Sequence, residues 1–345
     1  MDERVTLRSH LEHSIAQIPH GSAVGAVIEA VATAAIELAA LIADGPLADI
    51  TGQESGVNSD GDRQKDIDLI ADDLMRRALR GAPVAALLSE EVELPETLRP
   101  EACLCVAIDP LDGSGNIENN LSMGTIFSIR PRGNDLLSTF FEPGTVQCAA
   151  GFFVYGPQTT LVLALNASVD IFILDRRAGE FLRIRQAVQV ARDTPEFAIN
   201  ASNRRHWHGP VRAYIEECLA GTNGGGEADF NMRWLGSLVA ESFRILVRGG
   251  VFLYPADVRP SYREGRLRLL YEAQPMALIM EWAGGAATTG RRRILEVAAK
   301  TPHQRVPLIM GSVRGVRDVA ANHEKIEPMF DNNAAPLFAR RGLFL

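Results

Sequence analysis

Residues 104–116 read LCVAIDPLDGSGN, and this stretch is the clearest guide to the fold. Its apolar run predicts a buried strand that ends at Asp109 and Asp112, two aspartates separated by a Pro-Leu pair. The small Gly-Ser-Gly run that follows (113–115) leaves backbone N–H groups available to a phosphate. Carboxylates at a strand end can bind a hard cation, although DPLD alone could also be an ordinary turn.

Other segments also place acids where a predicted strand or helix begins or ends. These acids are Asp62, Asp66, Asp68, Glu90, Glu91 and Glu272. Each could by itself be a solvated surface residue. Together they offer hard oxygen ligands without histidine or cysteine, which suits Mg²⁺, or Mn²⁺, rather than zinc. We therefore expect two or more such ions to serve a phosphoryl-transfer reaction.

The overall composition excludes several functional classes. The chain has 345 residues, 35 Lys+Arg and 43 Asp+Glu, for a net charge of −8, which argues against nucleic-acid binding. The longest apolar stretch, 22–43, contains Glu29 and Glu37, so a packed helix is expected rather than a membrane span. The charged N-terminus is unlike a signal peptide. We expect a cytoplasmic protein with no nucleic-acid or membrane partner.

Helical and strand patterns alternate along the rest of the chain. Helices are predicted at 65–79, 209–221, 237–250 and 275–285, and strands at 84–91, 124–131 and 251–255, with a meander over 147–184. This alternation predicts an α/β or α+β fold with layered sheets.

The motifs, in this order, resemble the class I fructose-1,6-bisphosphatases, within the wider Mg²⁺-dependent, lithium-sensitive sugar and inositol phosphatase superfamily. They run from about residue 20 to about 315 and include GDRQKDID, SEE, DPLDGSGN, GTIFSI, RWLGSLVAESFRILVRGGVFLYP, GRLRLLYEAQPMALIMEWAGG and HQRVPLIMGS. The resemblance implies a layered α-β-α-β-α sandwich that assembles as a homotetramer. It also implies hydrolysis of the 1-phosphate of fructose 1,6-bisphosphate, in gluconeogenesis or the Calvin cycle. We expect two domains, 1–190 with most metal ligands and 191–345 with the sugar site.

The resemblance assigns roles to individual residues of this chain. The implied metal ligands are Glu90, Glu91, Asp109, Asp112, Glu272 and the Leu111 carbonyl. Asp68 and Glu91 would activate the attacking water, and Asp62 would lie in a loop that completes the site. The implied substrate-binding residues are Asp112, Gly113, Ser114 and Arg268 at the 1-phosphate, and Asn200, Tyr254, Arg266 and Arg233 at the sugar and the other phosphate, with Arg233 reaching over from a neighbouring subunit.

Four residues depart from the common pattern of the family. Gly115 replaces a serine, Arg266 a lysine, Trp234 a tyrosine, and Asn203 stands where relatives often have another tyrosine. The pattern is most similar to that of the bacterial Calvin-cycle branch, whose members also hydrolyse sedoheptulose 1,7-bisphosphate. Two alternatives therefore stay open: a dual-specificity bisphosphatase, and a sugar-phosphate-binding subunit without catalysis.

Overall fold

The structure is a computed structural model, and it describes residues 5–48, 54–57 and 63–326. The described helices are α1 (Leu7–Ser14), α2 (Gly21–Asp44), α3 (Asp66–Arg80), α4 (Leu136–Phe141), α5 (Gly209–Ala220), α6 (Leu238–Arg248), α7 (Gln274–Trp282) and α8 (Val313–Ile326). The described strands are β1 (Glu54–Val57), β2 (Arg63–Lys65), β3 (Val84–Ser89), β4 (Glu96–Thr97), β5 (Leu104–Asp112), β6 (Gly124–Pro131), β7 (Ala149–Tyr155), β8 (Thr159–Leu165), β9 (Ser168–Asp175), β10 (Glu180–Arg185), β11 (Glu196–Ala198), β12 (Asn231–Met232), β13 (Val251–Tyr254), β14 (Leu267–Arg268), β15 (Ala286–Thr288), β16 (Arg305–Val306) and β17 (Leu308–Gly311).

Two sheets carry the architecture. The larger has eight strands in the order β10-β9-β8-β7-β6-β5-β3-β4, and the smaller has five in the order β12-β11-β13-β17-β15. Within the larger sheet β3 and β5 run parallel, whereas the other neighbours run antiparallel. The predicted meander over 147–184 is confirmed as β7 to β10.

Helices cover both faces of each sheet. Strand β5 shows why: Leu104, Val106 and Ile108 face the layer of α1, α2 and α3, while Cys105 and Ala107 face the opposite core. That opposite core holds α6 and α7 between the two sheets, and α5 and α8 cover the outer face of the smaller sheet. The expected α-β-α-β-α sandwich is confirmed.

Helix α2 is long and apolar enough, by length and composition, to cross a membrane. Its side chains at Val24, Ile28, Val31 and Leu38 are instead fully buried in the core beneath the larger sheet. A helix with one apolar face packed in this way is typical of a protein core.

Helix α7 begins at Gln274, one residue before its predicted start at 275. A π-helical turn, Leu269–Ala273, precedes it and carries Glu272. Such turns widen the helix and often occur at functional sites. The helix itself ends at Trp282, and every residue from Gln274 to Met280 is buried between the two sheets.

Candidate active site

The predicted acids meet at one edge of the larger sheet. Because β3 and β5 are parallel neighbours, their carboxyl ends lie side by side, with Ser89 opposite Ile108. The chain leaving β3 stays in register, since the N–H of Glu90 donates to the Ile108 carbonyl at 3.0 Å. Glu91 is fixed next to it, because its N–H donates to the Ser89 hydroxyl at 3.3 Å. Parallel pairing thus brings the glutamate pair next to the end of β5.

Asp109, Asp112 and Glu272 form a compact acid cluster. Each offers a carboxylate oxygen, and these oxygens all lie within 4.8 Å of one another. The turn between the two aspartates is held internally, since the N–H of Leu111 donates to Asp109 Oδ1 at 3.0 Å. Glu272 reaches the cluster from the π turn, where its Oε2 accepts a short hydrogen bond from the backbone N–H of Arg268.

The pKa values of these acids record their crowding. Burial raises the pKa of Asp109 well above its usual range, and the neighbouring carboxylates of Glu90, Asp112 and Glu272 raise it further. Burial and the carboxylate of Asp112 likewise raise the pKa of Glu272. Burial raises the pKa of Asp112 to about 7, although the backbone N–H of Val239 partly opposes the shift. The protein alone therefore does not neutralise this cluster.

The donor set fits a hard divalent cation. Carboxylate oxygens that converge within reach of one ion are the ligands that Mg²⁺ and Mn²⁺ prefer. A bound cation would also remove the repulsion that raises the three pKa values. The metal-binding cluster expected from the sequence is therefore possible in this geometry.

A cavity of about 260 Å³ opens over the cluster. The predicted residues that line it are Asp68, Glu90, Glu91, Asp109, Leu111, Asp112, Gly113, Ser114, Gly115, Arg266, Arg268 and Glu272. Asp68 is 4% exposed and projects from the first turn of α3. Asp62 lies outside the described residues.

Arg268 lines this cavity beside the acid cluster. It is 3% exposed, and its Nε donates to Glu90 Oε1 at 3.2 Å. A buried guanidinium beside several carboxylates supplies a fixed positive charge at the edge of the acid cluster. Its position in β14, directly before the π turn, brings it close to Glu272 as well.

A buried polar network lies beneath the π turn. The fully buried Arg130 donates from Nη2 to Gln274 Oε1 in a short hydrogen bond, and from Nη1 to the Glu142 carbonyl at 3.1 Å. Gln147 adds a hydrogen bond from its Nε2 to the Gln274 carbonyl at 3.1 Å. Since Gln274 begins α7 directly after the turn that carries Glu272, this network fixes the base of that turn.

A second cavity, of about 360 Å³, continues from the first. Both are lined by Asp112, Gly113, Arg266 and Arg305, so the two form one cleft. The far end is aromatic, with Trp234, Phe252, Tyr254 and Tyr262 in its wall. We call the two parts the acid end and the aromatic end of the cleft.

Arg266 belongs to the aromatic end by its contacts. Its guanidinium carbon lies 3.6 Å from the ring centroid of Tyr262 and 5.6 Å from that of Tyr254. Its Nη1 also donates to Tyr254 Oη at 3.3 Å. Trp234 stacks on Phe252 with 6.0 Å between the rings. Arg266 and Tyr254 are therefore positioned together, as a pair that could bind an anion.

Two of the predicted substrate residues lie outside the lining of both cavities. Asn200 uses its side-chain oxygen to accept hydrogen bonds from the Ser202 N–H at 3.1 Å and the Ser202 hydroxyl at 2.5 Å. The Arg233 side chain is 48% exposed, and its Nε lies 4.0 Å from Glu196 Oε1. Asn203 accepts a hydrogen bond from Arg259 at 3.1 Å and is likewise outside the lining.

Three residues of the cleft were missed by the sequence reasoning. Arg305 lies opposite Arg268 in the β14–β16 pair, and Tyr262 stacks under Arg266. The backbone N–H of Val239, near the start of α6, donates to Asp112 Oδ2 at 3.4 Å. Arg305 stands within the quoted motif HQRVPLIMGS, but the sequence did not show that its strand pairs with β14. Neither Tyr262 nor a backbone donor gives a comparable signal.

Comparison with known proteins adds an independent result. The profile described as "Fructose-1-6-bisphosphatase, N-terminal domain" matches residues 6–186, and the corresponding C-terminal profile matches residues 190–324. Among solved structures, Leishmania major fructose-1,6-bisphosphatase in holo form superposes with a TM-score of 0.86 at 31% identity, covering 93% of this chain and 99% of that one.

Curated bacterial proteins are more similar in sequence. A class 1 fructose-1,6-bisphosphatase of Bradyrhizobium sp. strain BTAi1 is 63% identical over 344 residues, which is 100% of this chain and 98% of that protein. A class 1 enzyme of Bradyrhizobium diazoefficiens is 56% identical over 345 residues, 100% of this chain and 99% of that protein. These likenesses extend over the whole chain and agree with the layered fold and the acid cluster. The chain belongs to the class 1 fructose-1,6-bisphosphatase family.

Proposed function

We propose that this chain hydrolyses the 1-phosphate of fructose 1,6-bisphosphate, giving fructose 6-phosphate and phosphate. The observation that carries the proposal is a single cleft whose acid end suits cations and whose aromatic end holds a second cationic group, Arg266. A bisphosphate carries two anionic groups. The cations would bind the phosphate that reacts, and Arg266 would bind the phosphate that is kept. We place the reaction in gluconeogenesis or the Calvin cycle of the cytoplasm.

Glu90, Glu91, Asp109, Asp112, Glu272 and the Leu111 carbonyl would hold two or more Mg²⁺ ions, or Mn²⁺. When bound, these ions would supply positive charge to the phosphoryl oxygens and lower the pKa of a nearby water. The raised pKa values of Asp109, Asp112 and Glu272 support this assignment. Buried carboxylates this close together are stable in the ionised form only when a cation lies among them.

Glu91 and Asp68 would accept the proton of the attacking water. Both line the cavity over the acid cluster, Glu91 from the end of β3 and Asp68 from the start of α3. A carboxylate held there can orient the water as well as take its proton. We assign Asp62 to the same step on the family resemblance alone.

Ser114, Gly113 and Arg268 would bind the departing 1-phosphate. The backbone N–H groups of the DGS turn and the serine hydroxyl offer hydrogen bonds, and the buried Arg268 offers charge at a fixed position. Donors held in place before the reaction stabilise developing charge without reorganisation.

Arg266 and Tyr254 would bind the sugar and its other phosphate at the aromatic end. We further propose a homotetramer in which Arg233 enters a neighbouring cleft, with Asn200 at the same phosphate. The exposure of Arg233 and its position outside its own cleft support this arrangement.

We also keep the division into 1–190 and 191–345 as a proposal, because β10 ends the larger sheet at Arg185 and β11 opens the smaller one at Glu196.

Dual specificity for sedoheptulose 1,7-bisphosphate is the second candidate. The observation that favours it is Trp234 in the cavity wall, stacked on Phe252, at a position where the family resemblance leads us to expect a tyrosine. A longer sugar phosphate places its second phosphate further along this wall.

The deciding experiment is phosphate release by the purified full chain with Mg²⁺. Fructose 1,6-bisphosphate, sedoheptulose 1,7-bisphosphate and inositol 1-phosphate are compared, each with an EDTA control. Metal-dependent release from the first alone supports the main proposal, and comparable release from the first two supports dual specificity. A folded protein that releases phosphate from none of them would be a sugar-phosphate-binding subunit and would overturn the proposal.

A further inference from the structure

A separate cavity of about 330 Å³ lies on the outer side of the smaller sheet. It opens between α5, the start of α8 and the segments 193–195 and 226–230, and it shares no lining residue with the catalytic cleft. Nothing in the proposed reaction uses it. Its floor and its rim differ sharply in chemistry.

The floor is apolar except for one hydroxyl that contacts only a thiol. Tyr214, Cys218 and Phe230 line it. Tyr214 is 4% exposed, and its hydroxyl lies against the Cys218 thiol, a weak acceptor, with no nitrogen or oxygen partner among the described residues. Gly315 lets the start of α8 approach this floor closely, because a Cβ there would lie 3.0 Å from the Tyr214 hydroxyl and 2.4 Å from Val251 Cγ2. An occupant with apolar side chains and a carbonyl oxygen would satisfy both features.

The rim is acidic. Asp193, Glu217, Glu227 and Asp318 all line the cavity, and the one arginine, Arg314, is already paired with Asp193 at 2.8 Å and with Glu227 at 2.5 Å. Glu217 and Asp318 are exposed and form no ion pair with any described residue. Arg192 and Arg317 line the adjoining cavity with Asp193 and Asp318 but form no ion pair with them, so the rim carboxylates can accept further positive charge.

The chain itself contains a segment of matching chemistry. Residues 336–345 read PLFARRGLFL, with two adjacent arginines between apolar pairs, and they lie outside the described residues. The family profile ends at 324, whereas the bacterial relatives align over the entire chain. This segment is thus shared with those relatives but lies beyond the family profile.

The distance is short enough for a contact within one chain. Helix α8 lines the cavity at Asp318 and ends at Ile326, which is about 12 Å further along its axis at 1.5 Å per residue. The residues between 327 and 335 can span roughly 30 Å when extended. They can therefore return to the cavity with slack.

We propose that the segment 336–345 docks into this cavity of its own chain. Phe338 or Phe344 would fill the floor, a backbone carbonyl would accept from Tyr214, and Arg340 and Arg341 would pair with Glu217 and Asp318. The tail would then pack across α5 and the start of α8, on the outer side of the smaller sheet.

Photo-cross-linking of the full chain tests this directly. p-Benzoylphenylalanine replaces Phe338 in one variant and Phe344 in another, and the products of irradiation are separated by mass and mapped by peptide sequencing. We expect at least one variant to give a cross-link that runs at monomer mass and joins the tail to residues 209–220 or 226–230. Cross-links only at dimer mass, or only to other parts of the surface, would overturn the proposal.

Charge reversal tests the ion pairs. In the photoreactive variants, Glu217→Lys with Asp318→Lys should lower the yield of that cross-link several-fold. Adding Arg340→Glu and Arg341→Glu should restore it. The matched control reverses two exposed glutamates elsewhere, Glu101→Lys with Glu180→Lys, and should leave the yield unchanged. Equal yields in all variants would contradict the assigned pairing, and retained phosphatase activity shows that each variant is folded.

Discussion

The two ends of the cleft are stabilised in opposite ways. At the acid end, buried carboxylates repel one another, and their raised pKa values show that the protein holds them together at a cost. At the aromatic end, Arg266 lies on the rings of Tyr254 and Tyr262, and no carboxylate of the described residues pairs with it. The acid end is therefore complete only with a cation, whereas the aromatic end is held in place before any ligand binds.

This difference separates chemistry from selectivity. The acid end depends on charge, so small changes to its carboxylates should affect the rate strongly. The aromatic end depends on ring shape and on one hydroxyl, so changes there should alter which sugar is preferred. The following predictions test that division.

The largest effect is expected for removal of one carboxylate at the acid end. Glu91→Gln keeps the size of the side chain but removes its charge and its basicity, and we expect kcat to fall on the order of 10²-fold or more. The matched control is Glu93→Gln, which changes an exposed glutamate two residues further on and should leave kcat unchanged. Steady-state kinetics at saturating Mg²⁺ make the comparison. Normal turnover by Glu91→Gln would refute the role we give it.

The stability of the metal-free protein should fall as the pH rises. Asp109, Asp112 and Glu272 stay protonated in the folded protein at pH values where the unfolded chain has already lost these protons. Their contribution to the free energy of unfolding is therefore complete below about pH 4, and that of Asp112 is lost as the pH rises through about 7. We expect a loss on the order of 1–3 kcal/mol between pH 5 and pH 8. Chemical unfolding with EDTA measures it.

Saturating Mg²⁺ should remove most of this pH dependence, because a cation replaces the protons as the compensating charge. Asp112→Asn should reduce the slope without metal. If the metal-free protein became more stable towards pH 8, the acid end would not be under the electrostatic strain described here.

An intermediate effect is expected for the network beneath the π turn. Arg130→Met keeps the length of the side chain but leaves Gln274 without its donor, so Glu272 is held less firmly. We expect the Mg²⁺ concentration for half-maximal activity to rise about tenfold, with little change in the KM for the sugar bisphosphate. The control Arg132→Met, at an exposed position beside the same strand, should change neither. Equal losses of metal affinity in both variants would show that Arg130 has no specific role in holding Glu272.

The smallest effect is expected at the aromatic end. Trp234→Tyr introduces the tyrosine expected from the family resemblance, and it should shift the ratio of kcat/KM between fructose 1,6- and sedoheptulose 1,7-bisphosphate by a few-fold towards fructose. The Mg²⁺ requirement should stay the same, because the acid end is untouched. Parallel assays of both substrates measure the ratio. A changed Mg²⁺ requirement would show that the two ends are not independent.

The same division explains what could be predicted from the sequence. The acid end was predictable because residue type and strand position suffice: Asp109 and Asp112 end an apolar run, and Glu90 and Glu91 end its parallel neighbour. The layered fold followed from the alternation of helices and strands. Glu272 was already a candidate acid in the sequence, but its role as a metal ligand and the place of Arg268 in the cleft needed the family resemblance.

The remaining features depend on contacts that a linear pattern does not contain. Arg305 enters the cleft because β16 pairs with β14, and Tyr262 matters only through its stacking on Arg266. Arg130 stands in the sequence as an ordinary residue near a strand end, yet it is fully buried. Asn200 and Arg233 lie outside the lining of the cleft of a single chain, so their assigned roles remain predictions, and that of Arg233 depends on assembly.

The burial of α7 between two sheets has a consequence for biosynthesis. The larger sheet is largely complete when β10 has left the ribosome, but the face that α7 covers stays apolar and open until the chain reaches Trp282. At ordinary rates of translation that interval lasts on the order of ten seconds. For that time the nascent chain presents a broad hydrophobic surface, so we expect it to need holding by a chaperone until its central helix is made.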